Sequence, residues 1–434
     1  MDVAQRQAAV AVRRVLDGAA LGAALAAATS GEDAAGGRRH ALVQELAYGT
    51  LRHWGTLDAL TRRLATKPLS DSLLPCLIAV ALYQLDHTRA PQFAVVNHAV
   101  DNAATMARPA AKALVNALLR RFLRERDAIH AAVRADLVAR WSYPRWWIDR
   151  IRAEQPDDWQ AILEAGNERP PLALRVNARA TSREALLARF AEAGITATPA
   201  GTAGIIVAPP RAVAELPGYL EGAFSVQDVG AQLAAPLLRP ENGMRVLDAC
   251  AAPGGKATHM AELADVEIVA LDSDASRLPR MRENIARLPR GGAQIVVREG
   301  DAGEPSAWWD GRPFDLILAD VPCTASGIVR RHPDAKWLRR ESDLGGFARQ
   351  QARLLAALWP CLAGGGRMLY ATCSVFRDEN ETQVEAFMAA HPDALRETLT
   401  FAPGVAARGG QLLPSLPGAS HNQDGFFYAL LGKG

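Results

Sequence analysis

Apolar residues recur at three- and four-residue spacing from the start of the chain to about residue 135, the period of helices that turn one face to a core. Four stretches carry the pattern: RQAAVAVRRVLDGAALGAALAAA, ALVQELAYGTLRHWGTLDALTRRLA, LLPCLIAVALYQLDH and AAKALVNALLRRFLRER. Breaks fall at SGEDAAGG (Ser30–Gly37), at Pro68 and at Arg89-Ala-Pro91. No strand pattern or internal repeat interrupts them, so residues 1–138 are predicted to form an all-α domain. A smaller region, 139–222, mixes patterns. WSYPRWWIDRI reads as an aromatic connector, and Leu172–Asn177 alternates like a strand. Ser182 is placed to cap a helix running to about Ala193, and short strands follow near Thr196–Pro199 and Gly204–Ala208. This predicts a small α+β linker domain. From 223 to 434 short apolar runs alternate with helical segments: Met244–Ala249, Glu267–Leu271, Gln294–Arg298, Phe314–Ala319 and Arg367–Ala371. That alternation predicts a doubly wound α/β domain with buried parallel strands, a Rossmann-like architecture.

Composition changes the picture little. The 434 residues are 49% hydrophobic and 22% charged, which excludes global disorder. No uncharged stretch is long enough to span a bilayer. The start MDVAQRQAAVAVRR carries charges where a signal peptide would be apolar. Five cysteines, an odd number without a CxxC pair, argue against a disulfide framework and for a reducing compartment, the cytoplasm. Charge is asymmetric. Residues 1–140 hold 18 Lys+Arg against 12 Asp+Glu, a charge of +6, and the whole chain is +2, so the remainder is −4. A basic segment on a mildly acidic body suits a polyanion-binding module. On the last predicted helix, Lys112, Asn116, Arg120 and Arg124 form a row at four-residue spacing, flanked by Arg121 and beside the apolar row Leu114, Leu118 and Phe122. The row is either a solvated helix face or a ridge that contacts phosphates.

The candidate chemistry gathers where the predicted parallel strands end. The first run ends in Asp248-Ala-Cys250-Ala-Ala-Pro-Gly-Gly-Lys256, the second at Asp272, the third just before Asp301, the fourth in Asp320-Val-Pro-Cys323 and the fifth in Ala371-Thr-Cys373-Ser. Open parallel sheets bind ligands at that edge. The first loop is neither a Walker A loop nor GxGxxG. It is a glycine pair, Gly254-Gly255, opening a helix after a strand, and Asp272 follows Gly254 by 18 residues, where an acid can hold ribose hydroxyls. The spacing points to a nucleoside-like cofactor rather than a dinucleotide. Cys76 and Cys361 read as small core residues. Cys323 and Cys373 should face the cleft near Asp320, and a thiol beside a carboxylic acid suits addition to an electron-poor ring. Between them Arg330, Arg331, His332, Lys336, Arg339 and Arg340 surround Trp337. This is either a nucleic-acid strand's platform or a surface helix with a buried tryptophan.

DACAAPGGK, ADVPCTASG, RRHPDAKWLRR, YATCSVFRDEN and QDGFFYALL together resemble the RNA cytosine-5 methyltransferases, most closely the bacterial 16S ribosomal RNA branch. ELAYGTLR, LYQLDH, VVNHAV and LVNALLR resemble the NusB-like RNA-binding domain that this branch carries at its N-terminus. The resemblance spans nearly the whole chain. It implies S-adenosylmethionine as cofactor and transfer of its methyl group to carbon 5 of a cytosine in 16S ribosomal RNA through a covalent cysteine–cytosine intermediate. Carried over by position, Cys250, Ala251, Ala252, Pro253, Gly254, Gly255 and Lys256 form the cofactor loop, Asp272 holds the ribose and Asp301 lies near the adenine. Asp320 borders both methionine and substrate, Cys373 of the Thr-Cys motif is the nucleophile, and Cys323 of the Pro-Cys motif assists product release. Lys112, Arg120, Arg121, Arg124, Arg330, Arg331, Lys336 and Arg339 are the candidate RNA-binding residues. Val321 stands where alanine is commoner in the family, a conservative departure. The chain is expected to act as a monomer on unassembled or partly assembled RNA, with no metal and no membrane.

Three rival readings are weaker. A non-catalytic RNA-binding factor leaves the two cysteines unexplained. A DNA cytosine methyltransferase lacks reason for a Thr-Cys motif and a NusB-like domain. A nicotinamide oxidoreductase lacks GxGxxG. Another RNA such as tRNA stays open as the substrate.

Overall fold

Eleven of the fourteen residues of one helix, Leu74–His87, are buried, so this helix is covered all round and organises the others about it. In chain order the helices are α1 (Asp2–Leu16), α2 (Leu21–Thr29), α3 (Gly37–Arg52), α4 (Trp54–Leu64), α5 (Leu74–His87), α6 (Gln92–Met106), α7 (Ala111–Val133), α8 (Leu137–Trp141), α9 (Arg145–Glu154) and α10 (Trp159–Asn167). The computed structural model describes residues 2–30, 37–69, 71–107, 109–401, 405–416 and 422–434. Most of the break expected at Ser30–Gly37 therefore lies outside the described residues. Helices α1, α3, α4, α6 and α7 pack on α5. Gln84 on α5 accepts from Gln5 Nε2 at 2.8 Å, and Asn102 Nδ2 reaches Gln5 Oε1 at 3.2 Å, so these polar groups inside the core are satisfied. The aromatic connector is itself helical, as α9, and buries Trp147, Ile148 and Ile151.

Two compact units divide the chain: residues 1–167 with 329–341, and residues 168–328 with 342–434. The second contains two sheets. The smaller holds β1 (Leu172–Val176), β2 (Ala197–Ala200), β3 (Gly204–Val207) and β4 (Phe224–Val226), in the antiparallel order β2-β3-β1-β4. Helix α11 (Arg183–Glu192) is capped by Ser182, whose Oγ accepts from Ala185 N at 3.1 Å. The expected strand-helix-strand-strand order is present. A fourth strand, β4, completes the sheet beyond that expectation.

The larger sheet follows α12 (Ala234–Leu238). Its parallel strands are β5 (Arg245–Asp248), β6 (Glu267–Asp272), β7 (Gln294–Glu299), β8 (Phe314–Asp320) and β9 (Leu362–Thr372), separated by α13 (Gly255–Leu263), α14 (Leu278–Arg287), α15 (Ala335–Leu338) and α16 (Leu344–Leu358). After α17 (Glu381–Ala390) come β10 (Ala394–Glu397), β11 (Ala407–Arg408), β12 (Gln411–Leu412) and β13 (Phe426–Lys433). The order is β11-β12-β13-β9-β8-β5-β6-β7, with β10 also paired to β13. Chain order reverses at β5, which pairs with both β6 and β8, and that switch point is where such sheets bind ligands. Val246, Ile268 and Leu318 join one core cluster, while Leu247, Val269 and Ile317 join the other. Both faces are covered, which is why these strands read as continuous apolar runs.

One expectation needs correction: β7 is not buried but an edge strand with Val296 half-exposed. Beyond the five expected parallel strands, β13 adds an antiparallel neighbour to β9. FFYALL, singled out above for its resemblance alone, is the apolar run that forms this strand.

Candidate active site

The loop after β5 is shaped by Gly254, whose φ of +91° favours glycine and where an added Cβ would meet Met281 at 3.1 Å. The loop is pinned from below. Ala251 N donates to Leu271 O at 2.8 Å and Ala252 N to Asp272 Oδ2 at 2.9 Å. Asp272 also accepts from Asp274 N at 3.1 Å and lies 3.4 Å from Arg277 Nη1, while Arg277 Nη2 donates to Ala252 O at 2.5 Å. Asp272 is thus almost fully buried and spends its oxygens on the loop. From the small sheet, the buried Arg175 donates to Glu262, to Gly255 O at 2.6 Å and to Thr258 Oγ1 at 3.2 Å. It fixes the first turn of α13, whose N-terminus faces the loop. Asp301, at the next strand end, accepts from Gly303 N at 2.8 Å and pairs with Arg353 at 2.8 Å. Burial works against its ionisation, but these two donors outweigh it and hold its carboxyl below the usual range.

Asp248, at the end of β5, is buried and neither carboxylate oxygen has a hydrogen-bond partner. Burial pushes its pKa up to about 7, against the opposing pull of the Lys256 ammonium. Lys256 reaches from α13 to an ion pair with Asp320, the last residue of β8. Burial would lower its pKa, yet Asp320 and Asp248 keep it raised, so it stays charged. An orphaned buried carboxylate, a lysine bound to a second carboxylate and a glycine turn at a helix start make a site suited to a cationic, nucleoside-bearing ligand.

Beside Asp320 the turns after β8 and β9 bring Cys323 and Cys373 together, with their sulfurs 3.2 Å apart. Cys323 is buried. The hydrogen bond to Cys373 and then burial raise its thiol pKa well above the ordinary value. Either sulfur can be the donor in this contact. Burial raises the remaining thiols too: Cys250 strongly, Cys76 to about 12 and Cys361 to about 11. Cys76 and Cys361 sit in the core. Among the described residues no cluster suited to a metal ion occurs, and no helix is long and apolar enough to cross a membrane.

The basic residues divide. On α7, Lys112, Arg120 and Arg124 are exposed and Arg121 is half-buried. Arg120 Nε donates to Asn116 Oδ1 at 2.9 Å, Lys112 pairs with Asp101 at 3.1 Å, and Arg121 pairs with Glu125 at 3.0 Å. Arg331 and Arg339 are half-buried. Arg330 and Lys336 are corrected, for both are buried. The 329–341 segment packs into the helical unit, where Lys336 Nζ donates to Arg52 O and Asn167 Oδ1 at 2.7 Å each and Arg52 donates to Arg330 O at 2.8 Å. Neither side chain presents its charge to a surface. Trp337 likewise donates to Leu51 O at 2.7 Å and packs on the helical core. Sequence reasoning placed Asp248 at the strand edge without giving it a role, and passed over Arg175, Arg277 and Glu379. Asp248 and Glu379 stand inside the motifs DACAAPGGK and YATCSVFRDEN, whereas Arg175 gives no local signal.

Residues 235–432 match the 16S rRNA methyltransferase RsmB/F family, residues 143–214 the ferredoxin-like domain of that family, and residues 3–124 the NusB family. The ribosomal RNA small subunit methyltransferase B of Pseudomonas putida is 44% identical over 91% of this chain and 91% of its own. The chain belongs to the ribosomal RNA small subunit methyltransferase B family. The member from Citrobacter koseri is 42% identical over 91% of this chain and 90% of its own. In fold, the chain is similar to the crystal structure of PH0851, with TM-score 0.77 and 25% identity over 100% and 99% of the two chains. A methyltransferase homologue from Pyrococcus horikoshii covers 68% of this chain and 97% of its own, with TM-score 0.57 and 27% identity. Within the methyltransferase B family, the helical unit therefore carries the NusB domain, the small sheet the ferredoxin-like domain and the large sheet the methyltransferase domain.

Proposed function

We propose that this methyltransferase transfers the methyl group of S-adenosylmethionine to carbon 5 of a cytosine in 16S ribosomal RNA, through a covalent bond between Cys373 and carbon 6 of that base. The observation that carries the reading is the contact of two thiols beside a lysine-bound carboxylate at the sheet edge. S-adenosylmethionine, when bound, supplies an electrophilic methyl group. The chain holds it with the loop Cys250–Lys256, with Asp272 and Asp301 for its nucleoside part, and with Asp248 for its cationic methionine end. Asp320, positioned by Lys256, acts as the protonated acid that hydrogen-bonds to nitrogen 3 of the cytosine, and so offsets the negative charge that develops there when the Cys373 thiolate adds to carbon 6. That addition makes carbon 5 nucleophilic enough to take the methyl group. Afterwards a base takes the proton from carbon 5, its electron pair reforms the double bond between carbons 5 and 6, and Cys373 leaves carbon 6 as the thiolate, a release that Cys323 assists. Residues 1–138 bind the RNA, 139–222 link, and 223–434 perform the chemistry. The enzyme acts in the cytoplasm as a monomer on RNA that is unassembled or partly assembled.

The two cysteine variants should fail differently. Cys373→Ser replaces the nucleophile with a much weaker one at neutral pH, and should give neither methylation nor a covalent RNA complex. Cys323→Ser should methylate but release slowly, and accumulate an RNA–protein adduct that survives denaturing electrophoresis. An adduct from Cys373→Ser and none from Cys323→Ser would reverse the roles. Bisulfite mapping of 16S rRNA and tRNA after reaction identifies the substrate, and modification confined to tRNA would overturn the assignment.

A further inference from the structure

The carboxylate of Glu379 is fully buried, and four neutral donors converge on its two oxygens. Thr324 N donates to Oε1 at 2.8 Å and Thr324 Oγ1 to Oε2 at 2.5 Å. Ser374 Oγ donates to Oε2 at 2.5 Å and Gln351 Nε2 to Oε1 at 3.3 Å. Thr324 directly follows Cys323 and Ser374 directly follows Cys373. The residues on the other side of each cysteine are held as well. Gln351 Nε2 donates to Pro322 O at 3.0 Å, and Thr372 Oγ1 donates to Asn380 Oδ1 at 2.5 Å. Asn380 Nδ2 also donates to Ser374 O at 2.9 Å, and Tyr370 OH closes the set on Glu379 O at 2.6 Å.

A buried carboxylate is costly unless its lone pairs are filled, and here they are filled only if the two turns stand together. Resting on the two-cysteine chemistry above, we propose that Glu379 is the positioning residue of the thiol pair: its carboxylate, with Asn380, ties the turn after β8 to the turn after β9 and so sets the distance between the Cys323 and Cys373 sulfurs. Glu379 touches neither sulfur in this role. It acts through Thr324 and Ser374, and the consequence is a nucleophile and a release group held within reach of the same carbon–sulfur bond.

Sulfur proximity can be read without catalysis. Diamide, a diazene oxidant, takes two electrons and two protons from a pair of neighbouring thiols as the S–S bond forms, and is itself reduced to the hydrazine. In the full-length enzyme, peptide mass mapping should find a rapid Cys323–Cys373 cross-link. Glu379→Ala removes all four acceptor contacts and should slow that cross-link about tenfold or more. It should cut kcat by a similar or larger factor, since misplacement by about 1 Å can cost about 10²-fold. Cofactor affinity by calorimetry should stay within about twofold, because the cofactor loop lies on other strands. Glu379→Gln should restore the cross-linking rate, because the Thr324 and Ser374 hydroxyls can turn to accept from the amide. If Glu379→Ala shows no cooperative melting transition, Thr324→Val replaces it and should slow cross-linking to a lesser degree. A folded Glu379→Ala, or in its place Thr324→Val, that cross-links at the wild-type rate overturns the proposal. Slowed cross-linking in Glu379→Ala, found together with a wild-type enzyme that itself methylates no RNA, would leave the clamp standing and overturn the function.

Discussion

Asp248 is the residue whose titration should be visible in solution. Its pKa near 7 stands above the ordinary aspartate value of 3.8, so the folded protein binds the extra proton between about pH 4 and pH 7. Stability from this group is therefore full below about pH 4, falls as pH rises through that window and is level above it. Binding of a cationic ligand runs the other way, because it needs the carboxylate. S-adenosylmethionine affinity should strengthen up to about tenfold per pH unit below 7 and flatten above it. Asp248→Asn should remove that dependence, and titration calorimetry at several pH values checks it. An unchanged pH profile in Asp248→Asn would separate the residue from the cofactor. Cys323, Cys373, Asp320 and Lys256 were legible in the sequence because each lies at the end of an apolar run or in the segment that follows it, where strand direction alone puts them at one edge. Asp272 was legible only in position. Its oxygens serve the backbone of Ala252 and Asp274, so Asp272→Ala should loosen the loop as well as weaken cofactor binding. Arg175 could not be read at all, since its value lies in Glu262, 87 positions away.

At the scale of the element, α7 is the test of RNA binding. Its cations are not equivalent. Lys112 and Arg121 already face Asp101 and Glu125, so a phosphate must compete for them, whereas Arg120 donates to the neutral Asn116. Replacing Arg120 and Arg124 with alanine should weaken RNA binding and reduce the salt slope by about 0.7–0.9 for each phosphate no longer neutralised. Lys112→Ala should do less. Filter binding across a salt series measures both, and an unchanged slope in the double variant would make the ridge a solvated face. The elements themselves were largely readable where one period dominated. Helices α1–α5 and α7 and strands β5–β9 follow from spacing and from apolar runs, whereas α6 lies in none of the four periodic stretches and its VVNHAV entered by resemblance alone. β4 and β10–β12 are two to four residues long, too short for any period to emerge. β13 is apolar enough, but nothing local distinguishes antiparallel pairing with β9 from a parallel partner.

In the whole molecule, residues 329–341 leave the large-sheet unit between β8 and α16 and fold with residues 1–167. Composition made this stretch look like a basic surface, because burial of a lysine or arginine cannot be read from its neighbours in sequence. Lys336 is held by Arg52 O and Asn167, Trp337 by Leu51 O, and Asp334 accepts from Leu21 N at 3.0 Å. All these partners lie within residues 1–167, so a fragment of residues 168–434 would strip the strap of them. It would expose an indole and leave Lys336 without the two acceptors it has inside the helical unit. That fragment should aggregate on purification, because a bared apolar surface of this kind is a self-association site. Exchanging residues 329–341 for a Gly/Ser linker of equal length should restore its solubility. S-adenosylmethionine affinity should stay within about twofold of the full chain, since the cofactor loop and Asp272 are retained. In the full-length enzyme, Lys336→Ala should cost about 2–4 kcal/mol, from the cavity and the two acceptors left unsatisfied, as read by denaturant melting. The buried amine also carries a sign. Burial and then Arg52 hold its pKa well below the ordinary lysine value, so the folded state binds fewer protons than the unfolded one up to about pH 10. Stability from this group rises with pH through that window, and Lys336→Met should abolish the rise. A fragment that stays soluble with the strap intact, or a Lys336→Met variant whose stability keeps the wild-type slope above pH 8, would show that the strap is not anchored in the helical unit.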